Sequence, residues 1–170
     1  MKDTTPIYFH SATYAHEHGE LDQYHASHKA NIACREAIEQ AIADNYRDNR
    51  LGPACVQQVL QQFDPGRIFY VLSNTVRQKD HDGRISRDNK AWAQTVPVCE
   101  DKDGFGYDRN VYFVVDRCNP GLTDLFLSQA RRECTPVQEQ KPSVRDSLNK
   151  NAGQQAAHSN KTKVNKEQAR

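Results

Sequence analysis

The chain has 170 residues, which fits one ordinary domain with a short appendage, and its formal net charge is only +1. Hydrophobic residues make up 36% of it, below the usual share of a globular domain, and the mean hydropathy is −0.90. No apolar run approaches the ~18 residues that span a bilayer, and nothing at the start resembles a signal peptide. We therefore expect neither a membrane protein nor a secreted one.

Helices dominate the predicted elements. Ser11 and Ser86 are good N-caps for the first and fifth of them, and the long second helix contains nothing that breaks a helix. In chain order, helices are predicted over residues 12–18, 20–48, 54–63, 67–79, 87–94 and 122–132.

Three short apolar runs favour extended structure. Ile7–Phe9 is an edge strand or an extended lead-in, and Val96–Val98 is a candidate short strand. Val111–Val115 is the clearest strand, because β-branched and aromatic residues fill it. The predicted fold class is therefore α+β and predominantly helical, with a long central helix, several shorter helices and a small β-sheet.

The apolar deficit and the positive charge both concentrate at the C-terminal end. Residues 135–170 contain no aromatic residue, and their seven Lys and Arg against three acids give 7 − 3 = +4. This leaves +1 − 4 = −3 for residues 1–134. We predict one globular domain over 1–134 and a basic disordered tail over 135–170, in which Ser143–Leu148 is a candidate short linear motif. Two interpretations of the tail stay open: its Lys and Gln residues keep a disordered segment solvated, or its positive charge adds weak, salt-sensitive contact with nucleic acid.

Cysteine usage indicates a reducing compartment. The five cysteines are scattered, odd in number and never spaced as CxxC, a pattern that favours free thiols over disulfides or a structural zinc site. We expect a cytoplasmic protein with no cofactor and no metal. The early histidines have no metal-ligand motif around them and are interpreted as surface residues.

A stripe of polar residues on the first two helices is the main functional signal. Its members follow one another by three or four positions: Glu17, Glu20, Tyr24, Ser27, Asn31, Cys34, Ile38 and Ile42. The last three form an ordinary core seam. The others are polar where apolar residues are expected, so they must bond to one another, to water or to a ligand.

A second polar set, Arg67, Tyr70 and Asn74, has the same helical spacing, and Arg67 would pair with Glu17 or Glu20. Two interpretations stay open, an internal network that fixes the helix register and a pocket for a small polar ligand. A network predicts that Arg67→Ala unfolds the protein, whereas a pocket predicts loss of binding alone. Asp82–Ser86 is a turn that displays Arg84 near Trp92, either as the lip of a cleft or as a capped helix start.

A series of short motifs occurs in fixed order along the body: Tyr14-Ala15, Glu17-His18-Gly19-Glu20-Leu21-Asp22, Asn31-Ile32-Ala33-Cys34, Asn74-Thr75-Val76, Asp82-Gly83-Arg84, Trp92-Ala93 and Pro120-Gly121-Leu122. Over residues 7–132 the chain thereby resembles an uncharacterised domain family of Gram-positive gut bacteria. The resemblance implies cargo of plasmids, phages and conjugative elements, often within polyvalent proteins. The sequence departs from the resembled pattern at Cys118, where the pattern has a histidine.

The leading hypothesis is a non-enzymatic accessory protein of a mobile element that binds a protein partner or a small polar or anionic ligand, with the countering of host defence as a candidate role. The candidate ligand-binding residues are Glu17, Glu20, Tyr24, Asn31, Arg67, Asn74, Arg84 and Trp92. One alternative is an enzyme acting on a nucleotide or phosphate ester, with Glu17 or Glu20 as general base. The other is a DNA-associated module acting through the basic tail.

Overall fold

The computed structural model describes residues 1–134, so the predicted tail and its candidate motif lie outside the described residues. Six α-helices and one 3₁₀-helix account for most of this part of the chain: α1 Ala12–Glu17, α2 Leu21–Asn45, α3 Cys55–Leu60, α4 Pro65–Gln78, α5 Arg87–Thr95, the 3₁₀-helix Arg109–Phe113 and α6 Pro120–Cys134. Two short strands, β1 Tyr46–Arg47 and β2 Arg50–Leu51, pair antiparallel. The predicted fold class, helical with a long central helix and a small sheet, is confirmed.

The core lies around α2 and α4. The predicted apolar seam of α2 is confirmed, because Cys34, Ile38 and Ile42 are at most 1% exposed. They pack in one cluster with α4 residues such as Leu72 and Val76. None of the helices within residues 1–134 combines the length and the apolar character that crossing a membrane requires.

Two predicted helix starts are confirmed by their caps. The Ser11 hydroxyl accepts the amide N–H of Tyr14 at 3.1 Å, and the Ser86 hydroxyl accepts that of Asn89 at 3.2 Å. Each cap satisfies one of the amides that the first turn of a helix leaves without a partner. Between α1 and α2 the chain turns at Gly19, whose φ of 70° is readily adopted by glycine.

The small sheet forms where the long helix was predicted to continue. Helix α2 ends at Asn45, and β1 and β2 are joined by Asp48 and Asn49, whose φ angles are 54° and 60°. Asp and Asn tolerate this left-handed conformation better than most residues, and a two-residue turn of this kind matches the twist of a hairpin. The turn formed by Asp48 and Asn49 therefore ends the helical segment, although the sequence contains no helix breaker here.

The strand predicted over Val111–Val115 is wrong, because residues 109–113 form the 3₁₀-helix. The Asp108 carboxylate caps this helix by accepting the Asn110 amide at 2.8 Å. The amide of Val115 donates to the hydroxyl of Thr75 at 3.0 Å rather than to a neighbouring strand. Side chains thus supply the bonds that a sheet would have supplied, and β propensity has no effect without a partner strand.

The other two apolar runs are extended without forming strands. Val96 is the C-cap of α5 with extended dihedral angles, and Val96–Val98 is not the predicted short strand. Of the two alternatives for Ile7–Phe9, the extended lead-in is the one found. The amide of Tyr8 donates to the hydroxyl of Ser27 at 3.0 Å, so a side chain of α2 fixes this segment.

The 3₁₀ geometry predicts unequal effects of the same substitution at Val111 and Val115. Val115 is fully buried and Val111 is 48% exposed, whereas a strand would place both on one face. We expect Val115→Thr to lower the free energy of unfolding by about 1–3 kcal/mol, because it buries a hydroxyl. Val111→Thr should change it by less than about 0.5 kcal/mol. Urea denaturation followed by Trp92 fluorescence measures the free energy of unfolding of both variants. Equal losses of stability would support the predicted strand.

Candidate functional site

A small polar cleft lies where the lead-in segment, α2, α4 and the loop before the 3₁₀-helix meet. We call it the Tyr24–Asp101 cleft. Its volume is about 20 Å³, enough for one water-sized group. The side chains around it are Tyr8, His10, Tyr24, Ser27, His28, Asn31, Tyr70, Cys99, Asp101, Asn110 and Phe113.

Asp101 holds the cleft together. Its Oδ2 accepts the phenolic O–H of Tyr24 at 2.5 Å, and its Oδ1 accepts the amide of Ala12 at 3.1 Å and Nη1 of Arg109 at 3.2 Å. The residue is 3% exposed. A buried carboxylate needs such partners to remain charged, and here they come from α1, α2 and the 3₁₀-helix. One side chain therefore ties three separate segments to the cleft.

The protonation of the cleft side chains follows from burial. Burial and the bond to Asp101 raise the pKa of Tyr24 well above its usual value. Burial likewise raises the pKa of Tyr70 to about 12 and, with a contribution from Asp101, the pKa of Cys99. Burial lowers the pKa of His28. At neutral pH the cleft thus presents protonated phenols, a protonated thiol and a neutral imidazole.

A second, larger cleft adjoins the first. Tyr8 and His10 line both, and the second cleft has a volume of about 480 Å³. Its other walls are largely apolar: Thr5, Pro6, Ile7, Phe9, Glu20, Gln23 and Ala26. The Glu20 carboxylate accepts the Tyr8 O–H at 2.6 Å at this junction. Burial, together with this bond, raises the pKa of Tyr8 to about 12.

Arg67 belongs to a buried network behind the cleft. Its Nη1 donates to the backbone oxygen of Ser27 at 3.1 Å, to the Ser27 hydroxyl at 3.2 Å and to Oδ1 of Asn31. Its Nη2 donates to the backbone oxygen of Thr5 at 2.6 Å. The predicted pairing of Arg67 with Glu17 or Glu20 is therefore wrong. The guanidinium is 3% exposed, and neutral oxygens, which cost less to desolvate than a second charge, surround it.

The structure divides the eight predicted site residues into separate groups. Glu20, Tyr24 and Asn31 lie at the clefts, and Arg67 lies directly behind them. Asn74 contacts the cleft indirectly, since its Oδ1 accepts the side-chain amide of Asn110 at 3.2 Å.

The three other predicted residues lie elsewhere. Glu17 is exposed on α1. Arg84 pairs with Asp82 in a different groove. Trp92 packs edge-on against Phe69 at 5.4 Å. The turn before α5 thus has a feature of each interpretation, since Ser86 caps the helix and Arg84 lines a groove that Trp92 does not line.

Sequence reasoning missed several residues of the cleft. Asp101 lies in a loop and Asn110 in the 3₁₀-helix that follows it, a stretch without a recognisable motif, and 77 residues separate Asp101 from Tyr24. Tyr8 stood within an apolar run. His28, interpreted as a surface histidine, is half-buried and lies 5.6 Å from the ring of Phe113. Its position four residues after Tyr24 was the one available signal.

Comparison with known proteins gives one match. The model of a family described as "Protein of unknown function (DUF3849)" matches residues 7–135. No curated protein and no solved structure matches the chain.

The Arg67 network predicts a large effect on stability. Arg67→Ala would leave the buried oxygens of Thr5, Ser27 and Asn31 without their donor, so we expect the free energy of unfolding to fall by about 3 kcal/mol or more. Arg87→Ala, which changes an exposed arginine of α5, should cost less than about 0.5 kcal/mol. Urea denaturation compares the two variants. A stable Arg67→Ala protein would instead support the pocket interpretation.

His28 predicts a pH dependence of stability. Because burial lowers its pKa in the folded state, the unfolded state binds the proton more tightly, and stability is lost as the pH falls below the ordinary histidine pKa of about 6.5. Asp101 opposes this shift and His25 adds to it. We expect His28→Gln to flatten the change in unfolding free energy between pH 8 and pH 5.5, measured by urea denaturation. The exposed-site control His16→Gln should keep the wild-type slope, and an unchanged slope in His28→Gln would contradict the assignment.

Proposed function

The chain belongs to this family of unknown function, DUF3849, and we propose from the clefts themselves that it is a non-enzymatic module that binds a primary amine presented by a protein partner. The observation that carries the proposal is that two adjoining clefts with aromatic walls each contain a carboxylate, Asp101 in the polar cleft and Glu20 in the larger one.

The charge of the lining favours a cation. Glu20 and Asp101 are its acidic groups, and none of the described residues that line the two clefts is Lys or Arg. Arg109 offsets part of the Asp101 charge from the side. Arg67 suggested an anionic ligand from the sequence, but its guanidinium bonds to protein oxygens. An anion in the clefts would therefore meet the two carboxylates and not this arginine. A positively charged donor is the complementary ligand.

The dimensions fit an ammonium group on an aliphatic stem. A primary ammonium is about the size of a water molecule, and the polar cleft has room for one such group. The adjoining cleft, with Pro6, Ile7 and Phe9, offers apolar surface for methylene groups. The rings of Tyr8 and Tyr24 meet at 88° with centroids 6.1 Å apart, and tyrosine faces attract cations. A lysine side chain has this combination of features.

Binding is favoured over catalysis by the protonation of the cleft. The Cys99 thiol keeps its proton, and a thiol is a poor nucleophile compared with a thiolate. Glu20, the candidate general base, is engaged by the Tyr8 hydroxyl. A nucleotide or phosphate ester would be repelled by Glu20 and Asp101, so the alternative of an enzyme acting on such a substrate is the weaker proposal for these clefts.

The resemblance to a domain family carried by mobile elements suggests where this binding would take place. We infer that the chain is an accessory protein of a mobile element and acts in the host cytoplasm. There it captures a lysine-bearing host protein and so counters host defence. The clefts support the capture step alone, and the setting rests on the resemblance.

The test is titration with Nα-acetyl-lysine N-methylamide, followed by ¹H–¹⁵N NMR. We expect shifts at residues of the two clefts and about tenfold or greater loss of affinity in Glu20→Gln, because a charge-assisted hydrogen bond is removed. Glu17→Gln is the matched control, since Glu17 is an exposed acid three residues earlier that lines neither cleft.

The Nε-acetylated form of the same compound keeps the stem and loses the positive charge. Equal affinity for the two forms, or equal losses in Glu17→Gln and Glu20→Gln, would show that these carboxylates do not recognise an amine.

A further inference from the structure

A second surface of the same domain has the opposite charge. A groove of about 740 Å³ lies beside the C-terminal end of α4, the turn that follows it and the 3₁₀-helix, and we call it the basic groove. Its lining consists of Arg35, Gln78, Lys79, His81, Asp82, Arg84, Val111, Tyr112, Val114, Asp116, Arg117, Cys118, Asn119 and Pro120. Its volume suits a ligand of nucleotide size.

Positive charge is concentrated there. Four Lys and Arg side chains line the groove against two Asp side chains, which gives 4 − 2 = +2, although residues 1–134 together carry −3. Such a local excess of cations attracts anions even on a domain of negative net charge.

The two outermost cations are accessible. The Arg117 side chain is 80% exposed and that of Arg84 is 60% exposed. Arg84 is held by Asp82, with Nε 3.0 Å from Oδ1 and Nη2 2.8 Å from Oδ2. The Arg84 end of this two-point ion pair is open to water, so the guanidinium stays accessible to a second anion. Asp82 thus orients Arg84 at the groove without burying it.

Aromatic rings stand beside these cations. Tyr112 lines the groove and is 65% exposed, and its backbone oxygen accepts Nη1 of Arg35 at 2.7 Å. The neighbouring turn displays Phe105 and Tyr107, which are 91% and 73% exposed.

The aromatic turn is held in a defined shape. Oδ1 of Asp103 accepts the amides of Phe105 at 2.8 Å and Tyr107 at 2.9 Å. At the base of the turn, Oδ2 of Asp108 accepts the side-chain amide of Gln78 at 2.6 Å, and Gln78 lines the groove. The turn that carries the rings is therefore ordered, and Asp108 joins its base to the wall of the groove.

We propose that the basic groove binds a phosphate ester that carries an aromatic base, as a nucleotide or as a single-stranded nucleic acid. Arg84, Arg117 and Lys79 contact the phosphates, and a base stacks on Tyr112. The planar guanidinium of arginine donates two parallel hydrogen bonds to phosphate oxygens. Stacking on tyrosine accepts any base, because every base has an aromatic face. In a single strand the following bases reach Tyr107 and Phe105. A duplex hides its base faces, so it binds more weakly.

The test uses the full chain and fluorescence anisotropy of a fluorescein-labelled single-stranded oligothymidine of about a dozen nucleotides, long enough for the site size of single-strand-binding grooves. We expect Arg84→Gln/Arg117→Gln to weaken binding at least about tenfold, and Tyr112→Ala about fivefold, since each stacked base is worth a factor of that size. The matched controls are Arg47→Gln/Arg50→Gln and Tyr46→Ala. They alter exposed arginines and an exposed tyrosine of the hairpin and leave the basic C-terminal residues intact.

Competition with adenosine monophosphate and with the unlabelled oligonucleotide separates the two sources of the ligand. Displacement by the mononucleotide at a similar concentration supports a free nucleotide, and displacement by the oligonucleotide alone supports a single strand. The proposal is overturned if the wild type does not bind the labelled oligonucleotide and if adenosine monophosphate, added to the wild type alone, leaves the ¹H–¹⁵N signals of the groove residues unchanged. Equal losses in the groove and hairpin arginine variants also overturn it, because binding would then depend on net charge alone.

Discussion

The buried guanidinium of Arg67 is the interaction on which the arrangement around the clefts depends. From α4 it reaches the backbone of Thr5 in the lead-in segment and both Ser27 and Asn31 on α2. A buried charge requires hydrogen-bond acceptors on every side, and this requirement explains why the N-terminal half of the α2 stripe is polar while its C-terminal half is an ordinary core seam. The polar residues that indicated a ligand thus serve two purposes. Ser27 and Asn31 satisfy Arg67, and Glu20 and Tyr24 are left to face the clefts.

Asp101 is the second buried charge at the cleft, beside that of Arg67. The carboxylate accepts bonds from Ala12, Tyr24 and Arg109, just as the guanidinium donates bonds to the lead-in segment and to α2. Each charge is costly to bury alone, so each fixes the positions of the groups that compensate it. The cleft is the space between these two sets of bonds. Its shape is therefore set by side chains that cannot relax without leaving a charge unsatisfied, which is the preorganisation that a selective binding site needs.

The parts of the fold that the sequence predicts are those whose causes are local. Helix α5 begins at Ser86 because the hydroxyl caps it, and the seam from Cys34 to Ile42 is buried because its spacing is helical. The predictions are wrong where a residue distant in the sequence determines the local structure. Val111–Val115 has strand propensity, but the hydroxyl of Thr75 takes the amide that a strand would have offered. The site was half predictable for the same reason. Glu20, Tyr24 and Asn31 share a helix face, whereas Asp101 reaches Tyr24 from 77 residues away with no motif to indicate it.

The misassigned 3₁₀-helix also connects the two proposed binding surfaces. Phe113 lies in the wall of the Tyr24–Asp101 cleft and stacks with Tyr70 at 5.9 Å, while the preceding residue, Tyr112, lines the basic groove. A strand would bury Val111 with Phe113 and Val115, which would remove Val111 from the groove. The 3₁₀ turn instead exposes Val111 and Tyr112 together and buries Phe113, Val114 and Val115. One turn of backbone thereby separates a negatively charged cleft from a positively charged groove. This separation explains how a domain of 134 described residues carries both.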